Sequence, residues 1–191
     1  MNPSSIYQLP TLKLAKRLLG ATLTTTIKGK ETSGRIVEVE AYHGDTDPAC
    51  HCFYWRTPRN EVMFWNPGYC YVYFIYGMHY CFNIVSEARD TGAAVLIRAV
   101  EPLAGIELMQ QRRRSKKEKE LTNGPAKLCQ ALGIDKRFLG EHLLDSKLIS
   151  ITPQKPLATS QIVETTRIGI SQGKDLPWRF YDSKSSWISK R

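Results

Sequence analysis

Over residues 34–42, Gly34-Arg35-Ile36-Val37-Glu38-Val39-Glu40-Ala41-Tyr42, the side chains alternate in character with the period of a β-strand. That pattern puts Ile36, Glu38 and Glu40 on one face and Val37, Val39 and Ala41 on the other. A Thr- and Leu-rich stretch over 21–28 predicts a preceding strand, with Lys28-Gly29-Lys30 as the turn. Upstream, residues 10–20 predict a short helix: Pro10 lies near its start, Gly20 just past its end, and Leu12, Ala15 and Leu19 fall on one face. Residues 71–76 and 79–84 predict two strands joined at Gly77, a hairpin. Residues 93–100 predict a buried strand containing Arg98. Residues 101–114 predict a helix beginning near Pro102, and 124–133 another, started by Gly124-Pro125 and stopped by Gly133. The polar segment 43–60 predicts a long loop, a kind often tied to function. Short strands and turns follow from Leu148. No repeat or linker interrupts the pattern, so one domain of mixed helix and strand is expected over 1–191, with 1–9 as a flexible N-terminus.

A chain of 191 residues can bury a real core without disulfide or metal staples. Its 42% hydrophobic and 24% charged residues exclude disorder over most of its length. Charge changes the picture more. Lys and Arg number 27 against 18 Asp and Glu, a net +9, which points to a nucleic-acid partner or to a solubilising basic surface. The run 112–120 holds six basic and two acidic residues and reads as a mobile, solvated loop. The five cysteines are odd in number and sit mostly in apolar or aromatic runs, and the opening MNPSSIYQLP lacks a signal-peptide pattern. Reduced thiols in an intracellular compartment are expected, the cytoplasm of a bacterium or the nucleus of a eukaryote. No apolar run approaches the length of a membrane span.

The candidate chemistry is narrow. Cys50-His51-Cys52 has the wrong spacing for a zinc knuckle or ribbon and no second ligand pair, and no glycine-rich phosphate loop is present. No metal or cofactor is therefore expected. Tyr69, Tyr71, Tyr73, Phe74, Tyr76 and Tyr80 crowd into twelve residues. Strand propensity explains many of them, but not an aromatic and a Met flanking the turn glycine in Tyr76-Gly77-Met78. In a basic protein, an exposed aromatic tip suits a wedge between base pairs. Glu40 ends a strand, where chemistry is commonly mounted, whereas solvent exposure is the simplest account of Glu38.

Several runs together resemble the alkyladenine (3-methyladenine) DNA glycosylase family. They are the 34–42 strand, Thr57-Pro58-Arg59-Asn60, Tyr71-Val72-Tyr73-Phe74-Ile75-Tyr76-Gly77-Met78, Leu96-Ile97-Arg98-Ala99-Val100-Glu101-Pro102-Leu103, Gly124-Pro125-Ala126-Lys127-Leu128-Cys129-Gln130-Ala131-Leu132, Arg179-Phe180-Tyr181 and Ser186-Trp187. They keep the family's order and cover the chain from about Leu12. The resemblance implies a compact α+β domain, a mainly antiparallel sheet flanked by helices with a protruding hairpin. It implies monomeric action on double-stranded DNA containing damaged purines, alkylated or deaminated, leaving an abasic site. By position, Glu40 matches the water-activating acid and Arg98 an arginine beside the catalytic water. Tyr42, His51 and Tyr73 match base-pocket residues, and Asn83 a steric discriminator. Tyr76 matches the residue that fills the gap left by the flipped nucleotide; Met78, Arg56, Thr57 and Lys127 are the accompanying DNA contacts. The loop Cys52-Phe53-Tyr54-Trp55-Arg56 departs from the family in bulk and is about one residue shorter. His79 stands where an aromatic is usual.

These residue types suit the reaction. Flipping a base costs a few kcal/mol, which an inserted aromatic offsets. Aromatic faces attract a cationic alkylated purine, and a carboxylate stabilises an oxocarbenium-like sugar while taking a proton from water. With no lysine in the matched catalytic block, hydrolysis without strand cutting is expected. Two other readings share some features. A non-catalytic damaged-DNA binder has no use for Glu40, and a nucleoside hydrolase would use Glu38 and Glu40 as a carboxylate pair but has no need of +9 or a hairpin. Arg98 can equally be a paired core arginine, and His51 a surface loop histidine.

Overall fold

Strand after strand, alternate residues of this chain bury themselves against one face of a curled antiparallel sheet. The computed structural model describes residues 3–190. In chain order the elements are α1 (Thr11–Leu18), β1 (Thr22–Ile27), β2 (Lys30–His43), β3 (Cys70–Ile75), β4 (His79–Ser86), β5 (Ala93–Ala104), α2 (Ile106–Arg113), α3 (Pro125–Leu132), β6 (Ile149–Thr152), β7 (Ile162–Thr165) and β8 (Arg179–Asp182). The sheet runs β3-β4-β5-β2-β1-β6, and β8 joins β2 with β7 beyond it. Val39 and Ala41, Phe82 and Ile84, and Val95 and Ile97 face a core closed by Leu14 and Leu18 of α1 and Leu128 and Leu132 of α3. This is the α+β architecture that the resemblance implies. Among the described residues, no helix is long and apolar enough to cross a membrane.

The central strand departs from simple alternation. Cα partners run Ile36↔Val100, Glu38↔Ala99, Val39↔Ile97, so Val37 is an extra residue on β2 and Arg98 an extra residue on β5. A bulge resets the parity of a strand and re-aims its side chains. Ile36 therefore joins Val39 and Ala41 in the main core, while Val37 packs with Ala99 and Trp187 on the opposite side. Glu38 is 0% exposed rather than solvent-facing, as is Glu40. At the same point β2 changes its outer neighbour. Residues 30–35 pair with β1 and residues 38–40 with β8.

Other elements also differ from the sequence expectation. The buried face of α1 is Thr11, Leu14, Ala15 and Leu18; Leu12 is exposed. The stretch 101–114 is not one helix, because β5 continues to Ala104 by pairing Glu101 with Arg35 and Pro102 with Gly34. Gly105, at φ +72°, then starts α2. In the basic run, Arg112 reaches Thr32 Oγ1 and the Ala131 carbonyl, and Arg113 reaches Gln130, so both are anchored rather than free in a solvated loop. Of the expected flexible N-terminus, residues 1 and 2 lie outside the described residues, and Ile6 and Tyr7 are buried.

Two glycines test this framework. A Cβ on Gly105 would lie 2.5 Å from the Glu31 carbonyl and 2.7 Å from Thr32 Cγ2, whereas one on Gly77, at φ +66°, meets nothing within 4 Å. Placing a non-glycine residue in the left-handed region costs about 1–3 kcal/mol. Chemical denaturation is expected to show Gly77→Ala near the low end of that range and Gly105→Ala beyond it, because the backbone clash adds to the strain.

Candidate active site

The face of the sheet turned away from the core forms the floor of a cavity of about 350 Å³. Alternate positions supply it: Tyr71 and Tyr73 from β3, Cys81 and Asn83 from β4, Leu96 and Arg98 from β5, and Tyr42 from β2. One wall is His51, another the first turn of α3 at Pro125 and Ala126, and a third the segment 168–170. The β3–β4 turn forms the rim, bringing Tyr76 and His79 to the opening.

Glu40 lies beneath this floor, and the groups that hold it line the cavity. Its Oε2 accepts from the Tyr42 hydroxyl at 2.8 Å and from Arg98 Nη1 at 3.1 Å; its Oε1 accepts from the Ile168 N–H at 2.8 Å. A carboxylate has about four lone-pair sites. Three protons arrive here, and the place left over is on Oε1. Burial, then the adjacent Glu40 charge, push the Tyr42 phenol well above its ordinary pKa, so it stays protonated and donates. Burial alone would lower the Arg98 pKa, but the Glu40 and Glu38 charges outweigh it and the guanidinium stays charged.

Arg98 also faces backwards. Its Nε donates to Glu38 Oε1 at 3.2 Å. The same oxygen accepts from Arg179 Nε at 2.7 Å and Ser189 Oγ at 2.8 Å, and Glu38 Oε2 from the Ser189 N–H at 2.6 Å. Four donors thus hold Glu38, which is tied to the segment beyond β8 rather than turned into the cavity. Arg98 is thus the paired buried arginine that the sequence offered as one alternative, and the same guanidinium also lines the cavity.

The aromatic lining is locked from behind. His51 Nδ1 lies 2.9 Å from the Tyr71 hydroxyl, and its ring meets the Tyr73 ring edge-on with centroids 4.6 Å apart. His51 is accessible at the mouth, yet desolvation by its surroundings and the Arg59 charge lower its pKa below the ordinary histidine value, so it is neutral at pH 7. Asn83 donates from Nδ2 to the Tyr71 carbonyl at 3.1 Å, which fixes its amide on the floor. The structure thus brings Tyr42, His51, Tyr73 and Asn83 together around one cavity, with Glu40 and Arg98 at its base.

The expected DNA contacts fall into two groups. Tyr76, 81% exposed, and Met78, 69% exposed, stand at the hairpin tip. Tyr76 takes φ +53° there, in a turn closed by Met78 N–H to the Ile75 carbonyl. Lys127, on α3 beside the cavity, donates to Asn123 Oδ1 at 2.9 Å. Arg56, in contrast, is engaged by Glu61 and Asp90, and the Thr57 N–H donates to Asn60 Oδ1. In the bulky loop, Tyr54 and Trp55 are exposed at 59% and 73%, while Cys50 and Cys52 are buried free thiols. Among the described residues, no group of three or more His, Cys, Asp or Glu side chains could hold a metal ion.

Sequence reasoning missed Asp47, Arg167, Arg179 and Ser189. Asp47 and Arg167 form a fully buried ion pair, and Arg167 also donates to the Ala41 carbonyl. Its guanidinium lies 4.6 Å from the Tyr42 ring centroid and 5.5 Å from that of Trp178. Arg167 therefore backs Tyr42 and places the next residue, Ile168, for its N–H to reach Glu40. A buried charge needs a partner, but the partners here are 120 residues apart, and no local pattern joins them.

The profile of the methylpurine-DNA glycosylase family matches residues 5–186. Three bacterial relatives carry the provisional name 3-methyladenine DNA glycosylase. One from Carboxydothermus hydrogenoformans is 50% identical over 99% of this chain and 98% of its own. One from Chlorobaculum tepidum is 48% identical over 98% and 90%, and one from Francisella tularensis 46% identical over 100% and 99%.

The buried pair and the exposed tip should respond oppositely to truncation. Removing one partner of a buried ion pair costs about 3–5 kcal/mol. Surface changes stay within about 0.5 kcal/mol. Denaturation midpoints are expected to fall sharply for Asp47→Ala and hardly at all for Tyr76→Ala.

Proposed function

This chain belongs to the methylpurine-DNA glycosylase family and is a DNA repair enzyme that hydrolyses N-glycosyl bonds; from that premise we propose that it acts as a monomer, flips alkylated purines out of duplex DNA and releases them with water activated by Glu40. The observation that carries this reading is a fully buried carboxylate beneath an aromatic cavity, held by Tyr42, Arg98 and the Ile168 N–H with a lone-pair site left on Oε1.

The chemistry follows from the geometry. A purine alkylated at ring nitrogen 3 or 7 is cationic, and the faces of Tyr42, Tyr73 and neutral His51 attract it by about 0.5–2 kcal/mol. As the C1′–N bond breaks, its electron pair passes to the base and positive charge develops on the sugar. Glu40 stabilises that charge, takes a proton from the attacking water, and the water oxygen bonds to C1′. Asn83, fixed by its bond to Tyr71, rejects the 2-amino group of guanine by shape. Tyr76 fills the space left in the stack, and the basic surface holds the bent duplex through its phosphates.

Two features favour this route over its rivals. Glu38 is held by four donors from Arg98, Arg179 and Ser189 and turned from the cavity, which favours one working carboxylate over the pair a sugar hydrolase would use. Among the described residues no lysine lines the cavity, which favours attack by water and no strand-cutting Schiff base.

Glu40→Gln is expected to bind a duplex carrying a single 3-methyladenine or hypoxanthine while losing about 10²–10⁴ in single-turnover excision rate; near-wild-type release would overturn the assignment. Tyr76→Ala is expected to weaken lesion-duplex binding in a fluorescence-anisotropy titration, by the roughly 1–3 kcal/mol that base–aromatic stacking supplies. Unchanged affinity would remove the plug from the mechanism.

A further inference from the structure

The bonds behind Arg98 point to a division of labour inside the buried charge network. Glu38, Glu40, Arg98 and Arg179 carry two negative and two positive charges, all within side chains at most 8% exposed. Arg98 divides its guanidinium, giving Nη1 to Glu40 and Nε to Glu38, and its Nη2 reaches Ser189 Oγ at 3.4 Å. The bulge at Arg98 makes this possible by adding a residue opposite the stretch of β2 that carries both carboxylates. Ser189 is held in turn by its segment. Trp187 and Ile188 pack on Val37 and Ala99, Arg179 bonds the Lys190 carbonyl, and Lys119 bonds Ser186 and lies over the Trp187 ring.

We propose that Glu38 and Ser189 are positioning residues that set how Arg98 divides itself between two carboxylates: Glu38 draws the guanidinium away from full, two-pronged engagement with Glu40, Ser189 limits that pull by bonding Glu38, and the balance leaves Glu40 able to accept the proton of the attacking water. The proposal rests on the reading of Glu40 as that base. A carboxylate gripped by both prongs of an arginine is strongly stabilised as an anion and is a correspondingly weak base. With Glu38 competing for the same guanidinium, Arg98 orients Glu40 through a single bond. The other groups facing Glu40 are Tyr42 on its own strand, Tyr73 on β3, Cys81 on β4, and Arg167 with the Ile168 N–H from the segment before β8. None of these makes a further ion pair with Glu40.

The signs of the effects distinguish positioning from mere support. Glu38→Gln removes a like charge and the competitor for Arg98, so Glu40 becomes less basic and the acidic limb of the single-turnover pH–rate profile moves to lower pH. Ser189→Ala takes a donor from Glu38 and a rest from Arg98, which draws Arg98 toward Glu38 and moves the limb to higher pH. Shifts on the order of one pH unit are expected, one unit being a ten-fold change in the ionised fraction ratio. Ser189→Thr keeps the hydroxyl and is expected to leave the profile in place, and lesion affinity should hold in all three. Ser189 is only half-buried, so its variants report even where Glu38→Gln folds poorly. The profiles are measured beside Glu40→Gln on the same lesion duplex. Opposite shifts with Thr rescue support the proposal. Lowered stability with an unmoved limb overturns it while Glu40 stands, and active Glu40→Gln overturns the reading beneath it.

Discussion

Arg98 lies between Glu38 and Glu40 with all three side chains withdrawn from water, and ions so placed cost several kcal/mol each unless paired and hydrogen-bonded. Much of the molecule can be understood as meeting that requirement. Paired bulges on β2 and β5 bring the three charges to one face. β8 contributes Arg179, and the segment beyond it contributes two donors from Ser189. The segment before β8 contributes the Ile168 N–H, itself placed by the buried Arg167–Asp47 pair. Elements remote in sequence are thus bound to the central strand by electrostatics, with apolar packing around them.

The same constraint shapes the cavity proposed as the reaction site. On that proposal, an entering base meets Tyr42, whose hydroxyl is already committed to Glu40, and Tyr73 and His51, already in edge contact. These groups need little reorganisation, and a fixed carboxylate withdrawn from solvent, as Glu40 is, acts on developing charge more strongly than one in water. The hairpin is the opposite case. Tyr76 and Met78 project from a tight turn with little packing around them, which leaves their apolar surface exposed.

Local signals in the sequence carried much of this. The turn at Lys28-Gly29, the hairpin at Gly77 and α3 between Gly124 and Gly133 all stand where periodicity and turn chemistry put them. The roles of Glu40, Arg98, Tyr42, His51, Tyr73 and Asn83 came from resemblance, since nothing in their spacing singles out a base pocket. What stayed hidden was long-range. A bulge at Val37 has no residue-type signature, so plain strand periodicity puts Ile36 and Glu38 on the same face. Strand pairing with Gly34 and Arg35 carried β5 past Pro102, overriding a plausible helix start. Partners such as Asp47 and Arg167, or Glu38 and Ser189, meet only when the chain has folded.

The most direct test of Glu40 as the water-activating group is a crystal structure of this chain bound to a duplex whose lesion carries a 2′-fluoro sugar that resists cleavage. The account predicts the purine between Tyr42 and the His51–Tyr73 pair, Tyr76 in the vacated stack, and one water within hydrogen-bond distance of Glu40 Oε1 and facing C1′. A base seated in the cavity with no path for water to Oε1, or with C1′ turned away from Glu40, would contradict it.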